Sequence, residues 1–225
     1  MRTGLTKFQR CPWCGNFIIH LAIKQALAEL KIPKHKTVVV TWIWCSGKMS
    51  QYVDWYWAET LHGRGIPFAT GVKLANPDLT VISVSWDWDT YWIGLGHLLH
   101  SARKDINIVH IVADNENYAL TTGQASPTTP ENIKTKSTPD WNTISPFDPL
   151  KLTESAGCKL NISANDRDLP WLKKAIMDCF LNMLKRKNID RVTVTDICEE
   201  CGINRNTFYY YFSDIYDVLD SVLIE

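Results

Sequence analysis

The sequence predicts an α/β fold, a parallel sheet with helices on both faces, followed by a small all-α domain. Short β-branched runs at residues 37–41 and 80–85 alternate with amphipathic helical runs such as 17–30, a pattern typical of parallel sheets with helical crossovers. From Pro170 onward the periodicity is helical only. A polar stretch at 159–169 reads as a linker, so we predict one domain over 1–158 and a second over 170–225.

Composition excludes several classes of protein. Lys+Arg and Asp+Glu each total 24 in 225 residues, so net charge gives no argument for a nucleic-acid or membrane partner. No apolar run approaches the length of a membrane span, and the first ten residues lack the apolar core of a signal peptide. We therefore expect a cytoplasmic protein without a membrane partner, whose seven cysteines serve as free thiols or metal ligands rather than disulfides.

Oxygen-bearing side chains follow two of the predicted strands. Asp87 and Asp89 come after the strand at 80–85, and Asp114-Asn115 comes after an apolar run at 106–113. Open α/β sheets bind ligands at the carboxyl ends of their strands, and a tight loop leading into a helix at 98–104 offers backbone N–H groups to a diphosphate. Carboxylate and amide oxygens suit Mg²⁺. The alternative interpretation is an ordinary solvated loop.

The first 158 residues resemble a known family. Asp87 and Asn115 have the spacing of the thiamine diphosphate motif, GDG followed after some thirty residues by Asn. From about residue 8 to 158, the segments CPWCG, WIWCSGK, HGRGIPFATGVKLANPDL, GLGHLLHSARKDINI, DNENYALTTGQASPTTP and SPFDPL resemble the β subunit of the 2-oxoacid:ferredoxin oxidoreductases. Those enzymes oxidatively decarboxylate a 2-oxo acid to an acyl-CoA and pass electrons to ferredoxin.

The resemblance implies thiamine diphosphate, Mg²⁺, a [4Fe–4S] cluster, an oxidoreductase α subunit, ferredoxin, coenzyme A and a 2-oxo acid. The segment carrying the family's fourth cysteine has no counterpart here, and Cys158 does not match it, which implies an incomplete cluster. The glycines Gly94 and Gly96 would lie near the cofactor, and residues 124–129 near the substrate. The implied cofactor-binding residues are Cys45, Ser46, Lys48, His62, Trp86, Asp87, Trp88, Asp89, Gly94, Asn115 and Asn117, with Asp87, Asn115 and the carbonyl of Asn117 as Mg²⁺ ligands and Cys11, Cys14 and Cys45 as cluster ligands.

Tryptophan stands at many positions where this family has glycine. Glycine is needed there for positive φ and for close approach of the backbone to phosphate; positive φ would cost another residue roughly 1–2 kcal/mol, and an indole would fill the phosphate's space. Because one residue type replaces glycine throughout, we hypothesise that the codon UGA means glycine in the source and is read here as Trp. A dead homologue and aromatic packing are the alternatives. The positions are Trp13, Trp42, Trp44, Trp57, Trp86, Trp88 and Trp92, with Trp55 and Trp141 as further candidates.

The segment from Pro170 has the pattern of a helix-turn-helix. A helical stripe at 175–184 precedes a short helix that we expect to begin with Thr195 as its N-cap, a Gly turn at 201–204, a helix at 205–212 and a last helix at 213–223. The segment VTVTDICEECGINRNTFYYYFSDIYDVLDSVL resembles the DNA-binding domain of TetR-type repressors. That resemblance implies contacts to DNA by Asn204, Arg205, Asn206, Thr207 and Tyr209, and to phosphate by Thr195 and Tyr210.

Three interpretations of the whole chain stay open. The first is an incomplete oxidoreductase β subunit joined to a DNA-binding segment and inactive alone. The second is a TetR-like regulator with a degenerate cofactor-binding domain. The third is an artefactual join of two gene fragments, since neither a fourth cluster cysteine nor a dimerisation domain is found.

Overall fold

The computed structural model describes residues 15–42, 46–118, 121–163, 170–201, 203 and 205–224. The chain folds as two compact units. Of the described residues, 23–163 form the sheet unit, and 15–22 together with 170–224 form the helical unit.

Four parallel strands form the sheet of the sheet unit: β1 (Thr37–Thr41), β2 (Tyr56–Glu59), β3 (Thr80–Trp86) and β4 (Val109–Ala113). Their order is β2-β1-β3-β4, so β1 and β3 are central. All five residues of β1 are buried, as expected for a strand covered on both faces. The predicted α/β fold is therefore confirmed, although β4 begins three residues later than the apolar run at 106–113.

Helices and a small hairpin complete the sheet unit. Val38, Val40 and Val81 pack with Ala69 of the helix that follows β2. The stretch 121–148 contains one short strand of a two-stranded antiparallel ladder and otherwise irregular structure. Residues 23–29 of α1 (Asn16–Glu29) belong to this unit and its first residues to the helical unit. The other elements are α2 (Gly65–Ala75), α3 (Leu95–Lys104), β5 (Asn117–Tyr118), β6 (Gln124–Ala125) and α4 (Pro149–Ser155).

The segment after β3 differs from the predicted phosphate-binding loop. The chain turns directly into helical structure at Asp87, continues as a π-helical turn over Asp89–Ile93, and reaches α3 through Gly94. Trp88 has φ −58° and ψ −41°, an ordinary right-handed helical conformation. Among the described residues, no tryptophan has positive φ. The expected backbone strain was therefore wrong for the tryptophans that the structure describes, and after β3 the reason is that a helical turn replaces the glycine-dependent loop.

The helical unit comprises α5 (Pro170–Leu184), α6 (Val194–Cys201), α7 (Arg205–Tyr211) and α8 (Ile215–Ile224). Its core is apolar and includes the fully buried Leu172, Ile176, Phe180, Ile197 and Phe208. Ile18 of α1 belongs to the same cluster.

The N-cap of α6 is Thr193 rather than the predicted Thr195. Thr193 Oγ1 accepts a hydrogen bond from the Asp196 amide at 3.1 Å, and Asp196 Oδ2 accepts one from the Thr193 amide at 3.0 Å. This reciprocal pair is a capping box. Thr195 lies inside the first turn. None of the helices within the described residues has the length and apolar character needed to span a lipid bilayer.

Candidate functional site

The strand register brings two carboxylates together at the carboxyl-terminal edge of the sheet. Trp86, the last residue of β3, is paired with Ala113, the last residue of β4, so the next residues, Asp87 and Asp114, are neighbours. Thr128 bridges them: its hydroxyl lies 3.3 Å from Asp87 Oδ2 and 2.7 Å from Asp114 Oδ1. The predicted convergence of the two strand ends is thereby realised.

Asp87 is the most strongly perturbed carboxyl of this edge. Its side chain has no solvent exposure, and its Oδ1 atom has no hydrogen-bond partner among the described residues. Burial raises the pKa of Asp87 to about 6; hydrogen bonding from Ser126 opposes that rise and the charge of Asp114 adds to it. A buried, unpartnered carboxylate oxygen is costly unless a cation or donor reaches it.

Asp89 has internal partners for one of its two carboxylate oxygens, whereas its buried Oδ2 atom has none among the described residues. Its Oδ1 atom accepts a 2.7 Å hydrogen bond from the Gly63 amide and contacts His62 Nδ1 in a partly buried polar contact. Burial raises the pKa of Asp89 against these two hydrogen bonds. Gly63 has φ +70°, and a Cβ atom there would lie 2.4 Å from the side chain of Ile93, so only glycine fits. Asp89 and His62, both predicted to bind the cofactor, therefore tie the loop before α2 to the π-helical turn.

The two asparagines after β4 point differently. Asn115 is exposed, and its Oδ1 atom accepts a hydrogen bond from the Asn117 amide at 3.2 Å within its own loop. Asn117 Oδ1 is buried and has no partner among the described residues. Within that part of the chain, no group of three or more His, Cys, Asp or Glu side chains converges as a metal site would require.

An aromatic stack borders these oxygens. The ring of Trp88 lies 5.1 Å from that of Trp92 and 4.4 Å from that of Tyr118, measured between centroids. The ring of His62 is parallel to that of Tyr118 at 6.5 Å. Two rings of this stack, those of Trp88 and Tyr118, belong to the residues that directly follow Asp87 and Asn117 in the chain.

Trp42 fills the space at the end of β1. It is fully buried, donates from Nε1 to Ser83 Oγ at 3.1 Å, and stacks on His110 with centroids 5.6 Å apart. A Cβ atom at Gly65 would lie 1.2 Å from Nε1 of Trp42, and one at Gly94 would lie 3.0 Å from its ring. The indole therefore lies directly against two glycine backbones.

The remaining residues predicted to lie near the cofactor have positions that give little evidence for or against that role. Ser46 is buried at the start of the 3-10 turn Gly47–Tyr52, which contains Lys48. Trp86 Nε1 is buried without a partner among the described residues. A side chain at Gly96 would meet open space, so that glycine is not required sterically. Outside the described residues lie Cys11, Cys14, Cys45, Trp13 and Trp44.

Sequence reasoning missed three residues of the site. Thr128 was included only in a range assigned to substrate, and Asp114 was passed over for its neighbour Asn115. Tyr91 is buried in the π-helical turn, and burial together with the charges of Asp114 and Asp87 raises the pKa of its hydroxyl. The strand ends could have identified Asp114, whereas nothing in the local sequence indicates the partners of Thr128 or Tyr91.

The residues of this edge suit the magnesium ion of a bound magnesium diphosphate but not its phosphates. The unpartnered oxygens of Asp87 and Asn117 suit a hard cation. The π-helical turn and the stacked Trp88 do not fit a phosphate-binding loop, because such a loop needs free backbone N–H groups and close backbone approach. With tryptophan at these positions, the site has oxygen ligands for the cation but no loop of free backbone N–H groups to bind the diphosphate.

Some residues predicted to bind DNA lie close together in the helical unit. Arg205, at the start of α7, donates a hydrogen bond to Thr195 Oγ1 of α6, and Tyr209 and Tyr210 are about half exposed. Thr207 is partly buried on α7. The placement of Asn204 and the side chain of Asn206 lie outside what the structure describes.

Comparison with family models gives two matches. Residues 33–193 match the thiamine pyrophosphate enzyme C-terminal TPP-binding domain, and residues 176–222 match the bacterial regulatory proteins of the tetR family. The two matches overlap over 176–193, which includes most of α5. In the structure α5 packs with α6 and α8, so that helix belongs to the helical unit.

Similar proteins agree with the first match. The 2-oxoglutarate synthase subunit KorB of Archaeoglobus fulgidus is 38% identical over 79% of this chain and 66% of its own length. The 2-oxoacid:ferredoxin oxidoreductase subunit beta of Saccharolobus solfataricus is 38% identical over 92% of this chain and 67% of its own length. This chain thus spans about two thirds of those relatives.

A solved structure shares the fold. The 2-oxoglutarate:ferredoxin oxidoreductase from Magnetococcus marinus, with 2-oxoglutarate, coenzyme A and succinyl-CoA bound, superposes with a TM-score of 0.66 at 39% identity, covering 67% of this chain and 52% of that chain. The geometry of the sheet edge agrees with the family match and with these relatives. The chain therefore belongs to the thiamine pyrophosphate enzymes, in the family of their C-terminal TPP-binding domain.

Proposed function

We propose that the sheet unit is the thiamine diphosphate-binding part of a 2-oxoacid:ferredoxin oxidoreductase β subunit. The complete enzyme would convert a 2-oxo acid to an acyl-CoA and deliver electrons to ferredoxin, together with an α subunit. One observation carries the proposal: the buried, unpartnered oxygens of Asp87 and Asn117 lie at the carboxyl edge of a parallel sheet, where such folds bind ligands.

Magnesium would be held by Asp87 and by the side-chain oxygen of Asn117, in place of the Asn117 carbonyl that the resemblance implies. Asn115 would be a third ligand once its amide oxygen turns away from its own loop. The cation would neutralise the carboxylate of Asp87 and supply the partner that its Oδ1 atom lacks. The hydroxyl of Thr128 would then donate to Asp114 Oδ1, the nearer of the two carboxylate oxygens that it can reach.

The tryptophans decide whether the diphosphate can enter. Trp88 and Trp92 occupy the turn between the two oxygen-bearing strand ends, and Trp42 lies against the backbones of Gly65 and Gly94. Trp57 and Trp92 expose half or more of their surface, so these indoles contribute little buried area. This pattern supports glycine at these positions in the functional protein and a chain that, as written, binds thiamine diphosphate poorly.

A glycine-reverted chain tests the proposal. Trp→Gly at positions 13, 42, 44, 57, 86, 88 and 92 should make Mg²⁺-dependent binding of thiamine diphosphate at least roughly 100-fold tighter in calorimetry with the partner α subunit present, which is about 2.7 kcal/mol. A matched chain with Trp→Phe at the same positions keeps the rings and should not gain affinity. Circular dichroism checks that both chains fold. Equal affinities for the original, glycine and phenylalanine chains would refute the proposal.

The codons give an independent check. Reading the nucleotide sequence of the source should show UGA at these tryptophans if they are misread glycines, and UGG if they are not. The same reading across residues 158–170 decides whether the two matched segments are joined in the gene.

The cluster remains a narrower proposal. Cys11, Cys14 and Cys45 supply three of the four thiolates that a [4Fe–4S] cluster uses, so we expect a labile or incomplete centre. Anaerobic reconstitution followed by iron and sulfide analysis tests this. A stable, fully occupied centre would show that a further ligand exists.

The helical unit supports a second candidate function, weak DNA binding. The exposed Arg205, Tyr209 and Tyr210 on α7 would face the duplex, as the second helix of a helix-turn-helix does. In fluorescence anisotropy with duplex DNA, the full chain should bind at low salt and lose affinity steeply as salt rises. Arg205→Ala should abolish binding, whereas Arg186→Ala, paired with Glu200 elsewhere in the unit, should change it less. Undiminished binding by the Arg205→Ala chain would exclude this surface.

A further inference from the structure

Two cysteines of the helical unit face each other across a helix pair. Cys201 of α6 is almost fully buried, and its Sγ atom lies 3.8 Å from the carbonyl oxygen of Ala175 in α5. In an α-helix that carbonyl accepts the hydrogen bond of the residue four positions on, Cys179. Helical side chains lean toward the N-terminus of their helix, so the thiol of Cys179 projects toward the same carbonyl. Both thiols therefore lie near the carbonyl oxygen of Ala175.

The two thiols differ in their environment. A hydrogen bond from the Cys201 thiol lowers the pKa of Cys179, against burial and the nearby carboxylates of Glu200 and Asp178. The same hydrogen bond, with burial, raises the pKa of Cys201. Cys179 is also the more exposed of the two. It therefore has both the access and the thiolate character that an attacking cysteine requires.

We infer that Cys179 and Cys201 form a reversible disulfide when a small-molecule disulfide oxidises them. The Cys179 thiolate attacks one sulfur of the reagent, breaks its S–S bond and releases the first thiolate. The Cys201 thiol then loses its proton to solvent, attacks the sulfur of Cys179 and releases the second thiolate. Two cysteine thiols are oxidised and one reagent disulfide is reduced to two thiols.

A third cysteine, Cys198, lies one turn earlier on α6 and is the natural competitor. Burial raises its pKa to about 11, but the pKa of Cys201 is raised as well, so position decides between them. Cys201 is the cysteine whose Sγ atom lies against the Ala175 carbonyl, and it, not Cys198, acts on the thiol of Cys179. Within the described residues, no group that includes these three cysteines converges as a metal site. The pair 179/201 is therefore the reactive one, and a redox bond is favoured over a metal.

The bond would join α5 to α6 and leave α7 untouched. It closes a loop through residues 180–200, and a cross-link of that span stabilises chiefly by restricting the unfolded chain. Oxidation should therefore raise the midpoint of thermal unfolding of the helical unit by roughly 5 °C or more.

The test uses the full chain, purified reduced and then incubated folded with glutathione disulfide. After alkylation and tryptic digestion, mass spectrometry should find the peptide 175–185 linked to the peptide 192–205, with fragmentation placing the bond between Cys179 and Cys201. Thiol reducing agents should reverse it. Cys179→Ser and Cys201→Ser should each abolish the link, whereas the matched control Cys198→Ser should keep it.

A link through Cys198, a link that forms only in urea, or no linked peptide in the folded chain would each overturn the inference. Because Cys201→Ser puts a polar hydroxyl into an apolar core, Cys201→Ala is the second variant. It should keep the helical circular dichroism of the parent and lose the oxidation-induced rise in midpoint. A rise that persists in Cys201→Ala would also overturn it.

Discussion

In the helical unit the largest buried side chains are apolar, whereas the sheet unit buries polar groups at one edge. Phe180, Phe208 and Phe212 are at most 2% exposed, and between residues 170 and 224 no buried side-chain polar atom lacks a partner among those described. The other segment of that unit, 15–22, does bury an amide without a described partner, that of Asn16. At the carboxyl edge of the sheet, Asp87, Asp89 and Asn117 each leave a buried oxygen unpartnered.

The core within residues 170–224 is thus complete without a ligand, whereas the carboxyl edge of the sheet has the character of a ligand-binding site. Apolar side chains find all their contacts within the folded chain, whereas an unpartnered buried oxygen lacks a hydrogen-bond donor or cation that the described chain does not supply. A search for function in an unfamiliar chain should therefore begin where polar groups are buried without partners.

The largest effect should come from the apolar core. Phe208→Ala removes a ring with no solvent exposure and should lower the free energy of unfolding of the helical unit by about 3–5 kcal/mol. The neighbouring Tyr209 is 53% exposed, so Tyr209→Ala should cost less than about 1 kcal/mol. Urea denaturation followed by far-UV circular dichroism measures both. Similar costs for the two variants would mean that the helical core is not packed as described.

The next effect concerns acid stability of the sheet unit. Burial lowers the pKa of His110 to about 4, whereas an unfolded histidine takes up a proton below about pH 6.5. The unfolded chain thus binds more protons between these values, so the His110 contribution is present above pH 6.5 and is lost as pH falls toward 4.

His110→Phe isolates this contribution and keeps a ring against Trp42. Between pH 7 and pH 4, the parent should lose roughly 3 kcal/mol more unfolding free energy than the variant. Denaturant titrations at the two values measure the difference, and the carboxylates common to both proteins cancel. Equal losses would show that His110 is accessible to protons in the fold.

A gain in stability is expected at the site itself. Asp87→Asn replaces a buried carboxylate with a neutral amide, and without magnesium at neutral pH this should raise the free energy of unfolding by about 1–2 kcal/mol. Asp114→Asn, at an exposed carboxylate on the same Thr128 hydroxyl, should gain less than half as much. A loss of stability in Asp87→Asn would mean that the carboxylate is already satisfied.

The smallest effect separates two candidate caps. Thr193→Ala removes the side-chain oxygen that accepts from the Asp196 amide and should cost about 1 kcal/mol. Thr195→Ala should cost less than about 0.5 kcal/mol, because Thr195 lies within the helix. Thermal unfolding of the two variants compares them, and a larger cost at Thr195 would restore the cap expected from the sequence.

Much of the sheet could be read from the sequence because its strands carry local signals. The β-branched runs fixed β1 and β3, and the residues after β3 and β4 indicated where the oxygens meet. The cap at Thr193 was also readable, since Thr193-x-x-Asp196 is a capping box.

The partners within the site could not be read in this way. The contact of Asp89 with His62 depends on the left-handed turn at Gly63 and joins residues far apart in the sequence. The π-helical turn arises after β3, where the sequence predicted a tight, glycine-dependent loop. In both cases the decisive interaction is tertiary, and local propensity gives no indication of it.

Thr128 has one hydroxyl proton and two carboxylates within reach. It can donate to only one of them at a time, so Asp87 and Asp114 compete for it. A cation bound to Asp87 would make its carboxylate a weaker hydrogen-bond acceptor, so Thr128 would donate to Asp114 alone. The segment around Thr128 would then be held to the end of β4. Whether a cation is bound at Asp87 would thus determine how firmly the segment that contains Thr128 is held to the sheet.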